Sequence, residues 1–384
     1  MKLDQFLENK PLFYDVIDYE RMPHVYESIQ SHLKLPRIIQ IVGTNGKGTT
    51  GRFLASMLLA NGLHVGHYTS PHILKFNERI WLNGADIDDE MLELYHQKLT
   101  SLLSKHYLET LSYFEYTTLL TMMIFCDNCD YVVLEAGLGG EWDATSVFEK
   151  ILSIVTPIGY DHQAFLGETI EAIAQTKINS VKNDFILAKQ YEQQVYGIAL
   201  GKSCEVDKKL FYSENFFDIS MLKKIKNFIA RNEYSPFLGD NFMTAFCALK
   251  VLGYDIDLEK FTSYPLHGRC EKIYPHVTLD VGHNVMAAQA LAQHFGETKV
   301  ILVYNSYKDK DYRSILEILK PIILEIEVID IQSERAVEQE KLFEVALSLN
   351  IPITSFEGIK KEKEYLVFGS FSVAEAFLKG LREK

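Results

Sequence analysis

Cysteine is scarce in this chain, and its arrangement excludes an oxidised scaffold. Five cysteines are scattered over 384 residues, at 126, 129, 204, 247 and 270. An odd, dispersed set makes no disulfide framework and suits a reducing cytoplasm. Cys126 and Cys129 form a C-x-x-C without the second half of a zinc site, so the pair reads as the end of a buried helix. Long apolar runs are also absent, since no stretch of ~20 apolar residues is present to span a membrane. The opening MKLDQFLENK has no apolar core or small-residue cleavage site, so no signal peptide is expected. Positive charge is short as well. Thirty-nine Lys and Arg against 52 Asp and Glu leave a formal net charge of −13. Such a chain repels a phosphate backbone, so nucleic acid is not an expected partner. A single nucleotide is not excluded, because a local lysine and Mg2+ set the field around it.

Apolar residues make up 47% of the chain, enough for buried cores, and the length suggests two domains. Ile38–Val42, Tyr131–Glu135, Ile151–Thr156 and Phe185–Lys189 read as buried strands. An amphipathic stretch runs from the glycine-rich turn after Val42 to about Ala60. Strands alternating with helical segments predict a parallel sheet covered by helices. The pattern restarts late, with His276–Val281, Lys299–Tyr304, Ile326–Ile329 and Tyr365–Phe368 as strands. Val285–Phe295, Ser314–Leu324, Leu342–Leu349 and Phe371–Leu381 read as the helices between them. That is a second compact α/β unit. The junction is expected near Glu271–Pro275, giving domains 1–272 and 273–384. No tandem repeat or low-complexity tract is present.

The most informative segment is Gly43-Thr44-Asn45-Gly46-Lys47-Gly48-Thr49-Thr50. It follows a buried strand and opens a helix, the setting a phosphate cradle requires. Glycines let backbone N–H groups approach phosphate, the helix N-terminus favours anions, and the lysine neutralises charge. The match to G-x-x-x-x-G-K-[ST] is imperfect, because Gly48 follows Lys47. Glu135 ends a buried strand, and ligands bind beyond the carboxyl ends of strands in open α/β sheets.

Further segments follow in order. Tyr68-Thr69-Ser70-Pro71-His72 precedes Phe76-Asn77-Glu78-Arg79-Ile80. Glu135-Ala136-Gly137-Leu138-Gly139-Gly140 precedes Asp143-Ala144-Thr145, and Gly159-Tyr160-Asp161-His162 precedes Leu166-Gly167. Late in the chain come His267-Gly268-Arg269-Cys270-Glu271, Asp280-Val281-Gly282-His283-Asn284 and Lys308-Asp309-Lys310-Asp311. Together with the phosphate loop, these segments resemble the ordered motifs of the folate branch of the Mur-ligase superfamily, the dihydrofolate synthase/folylpolyglutamate synthases. The resemblance implies an α/β fold: a P-loop Mur-ligase-like central ATPase domain with a smaller Rossmann-like C-terminal α/β domain. It also implies an activity. ATP would convert the carboxylate of dihydropteroate, or of a folate, into an acyl phosphate, and L-glutamate would displace the phosphate. Charge builds on phosphate oxygens in both steps, so metal ions and fixed cations would supply most of the catalysis.

By motif position, the resemblance implies that Ser70, Glu135 and His162 hold Mg2+. It places Asn45, Gly46, Lys47, Gly48 and Thr49 against ATP, with Lys47 on the β- and γ-phosphates. Arg269 would stabilise phosphate charge and Asp280 would accept from the ribose hydroxyls, setting ATP between the domains. Lys177 matches the lysine that in the family carries CO2 as a carbamate. An N6-carboxylysine there would be an anionic ligand for a second Mg2+, so two ions are expected. Phe114, Glu115, Trp142, Asp143 and Ala144 would form the pterin pocket. His283, as a catalytic group, and Asn284 would stand near the incoming glutamate. A monomer is expected. Taken singly, these residues have plainer readings: Ser70 as a turn former, His162 as a structural histidine, Lys177 as a helix-surface lysine and Phe114 as core.

Three departures from the family pattern stand out. Glu141 and Trp142 replace the arginine and leucine after the glycine run. Thr176 and Ile178-Asn179 replace residues around Lys177. Thr244 replaces the asparagine that contacts ATP, and a hydroxyl cannot make an amide's pair of bonds. Two other readings compete. A ligase acting on a UDP-linked peptidoglycan precursor would normally carry an extra N-terminal domain, and about 37 residues precede the first strand here. A non-catalytic P-loop regulator would have no need of Arg269, Asp280, His283 and Asn284.

Overall fold

The computed structural model describes residues 1–11 and 18–382. They form two compact units, Met1–Asn232 with Leu238–Tyr264, and Glu233–Phe237 with Pro265 onward. The division precedes the 272/273 boundary read from the sequence. The reason is an edge strand at Glu271–Tyr274 that pairs antiparallel with Val277–Leu279. Its side chains are alternately half-buried and exposed, a pattern too polar to read as a buried strand.

The first unit holds strands β1 (Arg37–Val42), β2 (Val65–Tyr68), β3 (Ile80–Leu82), β4 (Ala85–Asp86), β5 (Tyr131–Glu135), β6 (Leu152–Val155), β7 (Phe185–Leu187) and β8 (Leu210–Tyr212). They lie in the order β4-β3-β2-β5-β1-β6-β7-β8. β1 is central and parallel to both β5 and β6. Its residues Ile38, Ile39, Ile41 and Val42 are wholly buried, as a strand covered on both faces demands. The apolar runs were therefore a sound guide. The short edge strands β3 and β4, antiparallel to their neighbours, carry little periodic signal.

The second unit holds β9 (Glu271–Tyr274), β10 (Val277–Leu279), β11 (Val300–Tyr304), β12 (Ile323–Val328), β13 (Ile353–Ser355) and β14 (Tyr365–Phe368), in the order β13-β12-β11-β14-β10-β9. All but β9 run parallel, so this is the expected Rossmann-like layer. The helix read as Ser314–Leu324 is shorter, Tyr312–Leu319. Pro321 lies in the tight turn Lys320–Ile322 that follows. Proline lacks an N–H and ends the helix, and Ile323 and Leu324 pass into β12.

The site depends on how firmly the centre of the first sheet is packed. Leu134, wholly buried in β5, immediately precedes Glu135. Leu134→Ala should cost about 2–5 kcal/mol, the usual range for a core leucine. Urea unfolding would measure it; a loss below about 1 kcal/mol would show that this strand is not the rigid base of the site.

Candidate active site

The turn after β1 is pinned to the segment that follows β6. Gly43 and Gly46 take φ of 146° and 83°, which favour glycine. A Cβ on Gly43 would stand 2.0 Å from Thr156 Oγ1, so the turn presses on the residue after β6. The Thr44 and Asn45 amides donate to the Pro157 carbonyl at 2.9 and 3.2 Å. Thr44 Oγ1 donates to Gly159 O at 3.0 Å. The helix Lys47–Ala60 then begins, capped by Gly46. Its first-turn amides have no intrahelical acceptor and favour an anion.

Two lysines converge here. Lys47 Nζ donates to Gly43 O at 3.3 Å and to Thr44 O at 3.2 Å. Lys177 Nζ, from the helix Ile170–Ile178, donates to the same Gly43 O at 2.9 Å. Lys177 is 4% exposed. Burial, with Lys47 beside it, pulls its ammonium down to about 7. A counter-charge comes from Glu135, whose Oε1 lies 3.8 Å from Lys47 Nζ. Glu135 Oε2 accepts from the Thr69 hydroxyl and, at 3.4 Å, from the Ser70 amide. Lys47, Ser70 and Glu135 thus meet at one place.

The segment around Ile73–Arg79 holds that meeting point, a role the sequence did not disclose. Glu78 accepts from the amides of Ile73, Leu74 and Lys75 at 2.7, 2.9 and 2.9 Å. Thr69 N donates to Arg79 O at 2.9 Å, and Arg79 Nε donates to His72 Nδ1 at 2.8 Å. Glu78 and Arg79 therefore brace the turn that carries Ser70. His162 arrives on a different segment. It takes φ of 52° and caps the short helix Gln163–Leu166. Its amide donates to Asp161 Oδ1 at 2.9 Å, three residues beyond the Gly159–Thr44 contact.

Around the expected pterin pocket, several side chains are committed to the fold. Asp143 Oδ2 accepts from the Gly137 and Leu138 amides at 2.9 and 3.0 Å. Its Oδ1 accepts from Thr145 N and Thr145 Oγ1 at 2.9 and 2.6 Å. Four donors fill a carboxylate's usual capacity, so Asp143 holds the glycine turn instead of offering a lone pair to a ligand. Burial still pushes its carboxyl up, against those donors. Glu115 closes a capping box with Ser112 and pairs with Arg21 at 3.1 Å, both side chains largely buried; its expected place in the pocket is also structural. Ala144 is buried. Phe114 does reach the turn: a Cβ on Gly137 would stand 2.6 Å from its ring, and the ring stacks on Tyr68 with centroids 5.8 Å apart. Trp142 is 57% exposed, its ring 4.9 Å from that of Tyr19.

Thr244 lies in the helix Pro236–Val251 and is 1% exposed. Its hydroxyl donates to Asp240 O at 2.9 Å and lies 3.3 Å from Ser213 Oγ. The expected ATP contact is thereby redirected into the helix. One turn earlier, Asn241 is 7% exposed and its amide faces the phosphate loop: a Cβ on Gly46 would stand 2.5 Å from Asn241 Oδ1. The polar residue missed from sequence is thus Asn241, beside Asp240 in a helix that is mostly apolar.

In the second unit, Asp280 follows β10. Its Oδ1 accepts from Gly282 N at 2.7 Å and its Oδ2 from Cys270 N at 2.9 Å, and burial raises its carboxyl. It staples the Arg269 turn to the Gly282–Asn284 loop. The Arg269 guanidinium lies over the Phe371 ring, 5.2 Å from its centroid. Asn284 Oδ1 accepts from Ala287 N at 2.9 Å, capping the helix Val285–Phe295. His283 Nδ1 is 3.3 Å from Val281 O.

The buried ammonium makes stability depend on pH. An ordinary lysine titrates at 10.5, and Lys177 in the fold at about 7. Between those values the unfolded chain binds more protons, so this group makes stability rise with pH and costs most below about 7. Lys177→Met should remove that rise. Urea unfolding at about pH 6.5 and about pH 9 should show wild type gaining on the variant at the higher pH; an unchanged difference would place the ammonium in water.

No family model matches the chain. A curated relative from Haemophilus influenzae, a dihydrofolate synthase/folylpolyglutamate synthase, is 31% identical over 93% of this chain and 92% of its own. Among solved structures, a Helicobacter pylori folylpolyglutamate synthetase is 38% identical with a TM-score of 0.80, covering 100% of this chain and 98% of that one. An Escherichia coli FolC in complex with DHPP and ADP is 25% identical with a TM-score of 0.85 over the same shares. With the motifs in order and the phosphate loop, Lys47 and Glu135 gathered on one sheet, the chain belongs to the dihydrofolate synthase/folylpolyglutamate synthase family.

Proposed function

We propose that this chain is an ATP-dependent ligase that joins L-glutamate to dihydropteroate and extends glutamate tails on tetrahydrofolates. The observation that carries the reading is the convergence of Lys47 and Lys177 on Gly43 O beside Glu135. Membership of the family supports it, as does the DHPP and ADP in the E. coli relative.

The phosphate loop and Lys47 bind the triphosphate through backbone amides and one fixed cation. A carboxylate oxygen of the acid attacks the γ-phosphorus and ADP leaves. The amine of glutamate then attacks the acyl carbon, loses a proton and expels phosphate. Phe114, backed by Tyr68, offers a flat face at the glycine turn for the pterin. His283 is the proposed group near the entering amine, with Arg269 and Asp280 as proposed nucleotide contacts.

Glu135 offers a hard divalent cation an oxygen ligand. Glu135 Oε1 has its 3.8 Å ion pair to Lys47 but accepts no hydrogen bond from any described residue, leaving lone pairs for an ion. Ser70, Glu135 and His162 would hold Mg2+, with water completing the shell. The ion supplies Lewis-acid stabilisation of charge on the transferred phosphoryl group. Lys177 is proposed to carry CO2 as a carbamate and to serve a second ion. Its lowered titration supports this, because only a neutral amine adds to CO2. A reducing cytoplasm is the proposed setting, supported by five unpaired thiols.

Phosphate release from ATP should require both glutamate and a pteroate acid; release driven by a sugar nucleotide instead would favour a peptidoglycan-precursor ligase. Glu135→Gln and Lys47→Ala should each lower kcat about 10²–10³-fold, the scale of losing one preorganised charge contact. Asn241→Ala should raise KM for ATP about 3–10-fold, as one hydrogen bond implies, while Thr244→Ala leaves KM near wild type. The reverse ranking of Asn241 and Thr244 would return nucleotide recognition to Thr244.

A further inference from the structure

Two departures from the family pattern turn out to be partners. Asn179 Nδ2 donates to Glu141 Oε2 at 2.9 Å. Asn179 Oδ1 accepts from Gln175 Nε2 at 2.8 Å, so the amide is oriented from both ends. Among the described residues Glu141 makes no ion pair, and its charge is directed at this amide, a charge-assisted bond. A second contact runs parallel to it: Glu141 N donates to Thr176 O at 3.3 Å.

The latch lies where loop and helix touch backbone to backbone. A Cβ on Gly140 would stand 2.7 Å from Lys177 O and 3.0 Å from Ser180 Oγ. Ser180 Oγ itself donates to Lys177 O at 2.7 Å. The loop that bears Glu141 is anchored at Asp143 by four donors. Asn179 is the C-terminal cap of the helix that carries Lys177. Helix ends fray first, and Lys177 stands in the last turn, two residues before this cap, with its Nζ on Gly43 O. A rigid loop therefore clamps the one part of the helix whose position sets where that nitrogen stands.

We propose that Glu141 and Asn179 form a latch that fixes Lys177 against the phosphate loop, which makes both positioning residues for phosphoryl transfer. This rests on the reading of Lys177 given above. Both residues stand at positions where the sequence departs from the family pattern, and here they bond to each other.

The test is a double-mutant cycle on the full chain, with Lys177→Ala as reference. Glu141→Ala and Asn179→Ala should each lower kcat about ten-fold while KM for the acid substrate holds, the signature of a misplaced group. The double variant should lose about as much as either single, since coupled partners are not additive. Glu141→Gln keeps an acceptor oxygen and should restore kcat to within about three-fold of wild type. Losses that multiply in the double variant, or a Glu141→Gln as poor as Glu141→Ala, would overturn the latch. Lower thermal stability with unchanged kcat would do so too, since that is all a structural bond would give. Wild-type kcat in the single variants beside an inactive Lys177→Ala would remove the latch and leave the lysine's role standing. A fully active Lys177→Ala would remove that role itself.

Discussion

One carbonyl oxygen, Gly43 O, organises the first unit's site. It accepts from both Lys47 and Lys177, so two ammonium groups share one partial negative charge. Like charges so close repel strongly where water is excluded. The fold answers in two ways. Glu135 stands 3.8 Å from Lys47 Nζ, and Lys177 gives up its proton near neutrality. Lys47 remains the fixed cation that a triphosphate would meet beside the loop.

Keeping that arrangement takes rigidity more than chemistry. Glu135 is aimed by β5, a strand buried throughout its length. Ser70 is held by a turn whose amides converge on Glu78. The glycine turn is held by Asp143. Several acidic groups near the site thus support it through the backbone amides they accept from. Asp143 is buried with four donors on its carboxylate, as buried polar groups require, and the half-buried Glu78 accepts three amides.

The larger part of the fold was legible because buried parallel strands leave long apolar runs. β1, β5, β11 and β14 were readable for that reason. β3, β4 and β9 were not, being short, exposed or at an edge. The phosphate loop was legible because its glycines have only one economical use, and Glu135 because it ends a strand. Asp143, Glu115 and Thr244 show the limit. A motif position says that a residue matters, yet not whether its polar atoms face a ligand or the backbone. That depends on which amides happen to lie within 3 Å, a property of the tertiary fold. Asn241 and the Glu141–Asn179 bond were hidden for the same reason, since residues far apart in sequence supply each contact.

The central claim is that Lys47, Lys177 and Glu135, gathered at the phosphate loop, serve the transfer of a phosphoryl group to the acid's carboxylate. Turnover of dihydropteroate labelled with 18O in its carboxyl group tests it most directly. Activation as an acyl phosphate carries one labelled oxygen into the released inorganic phosphate at each turnover. Unlabelled phosphate formed alongside the glutamate product would contradict the account.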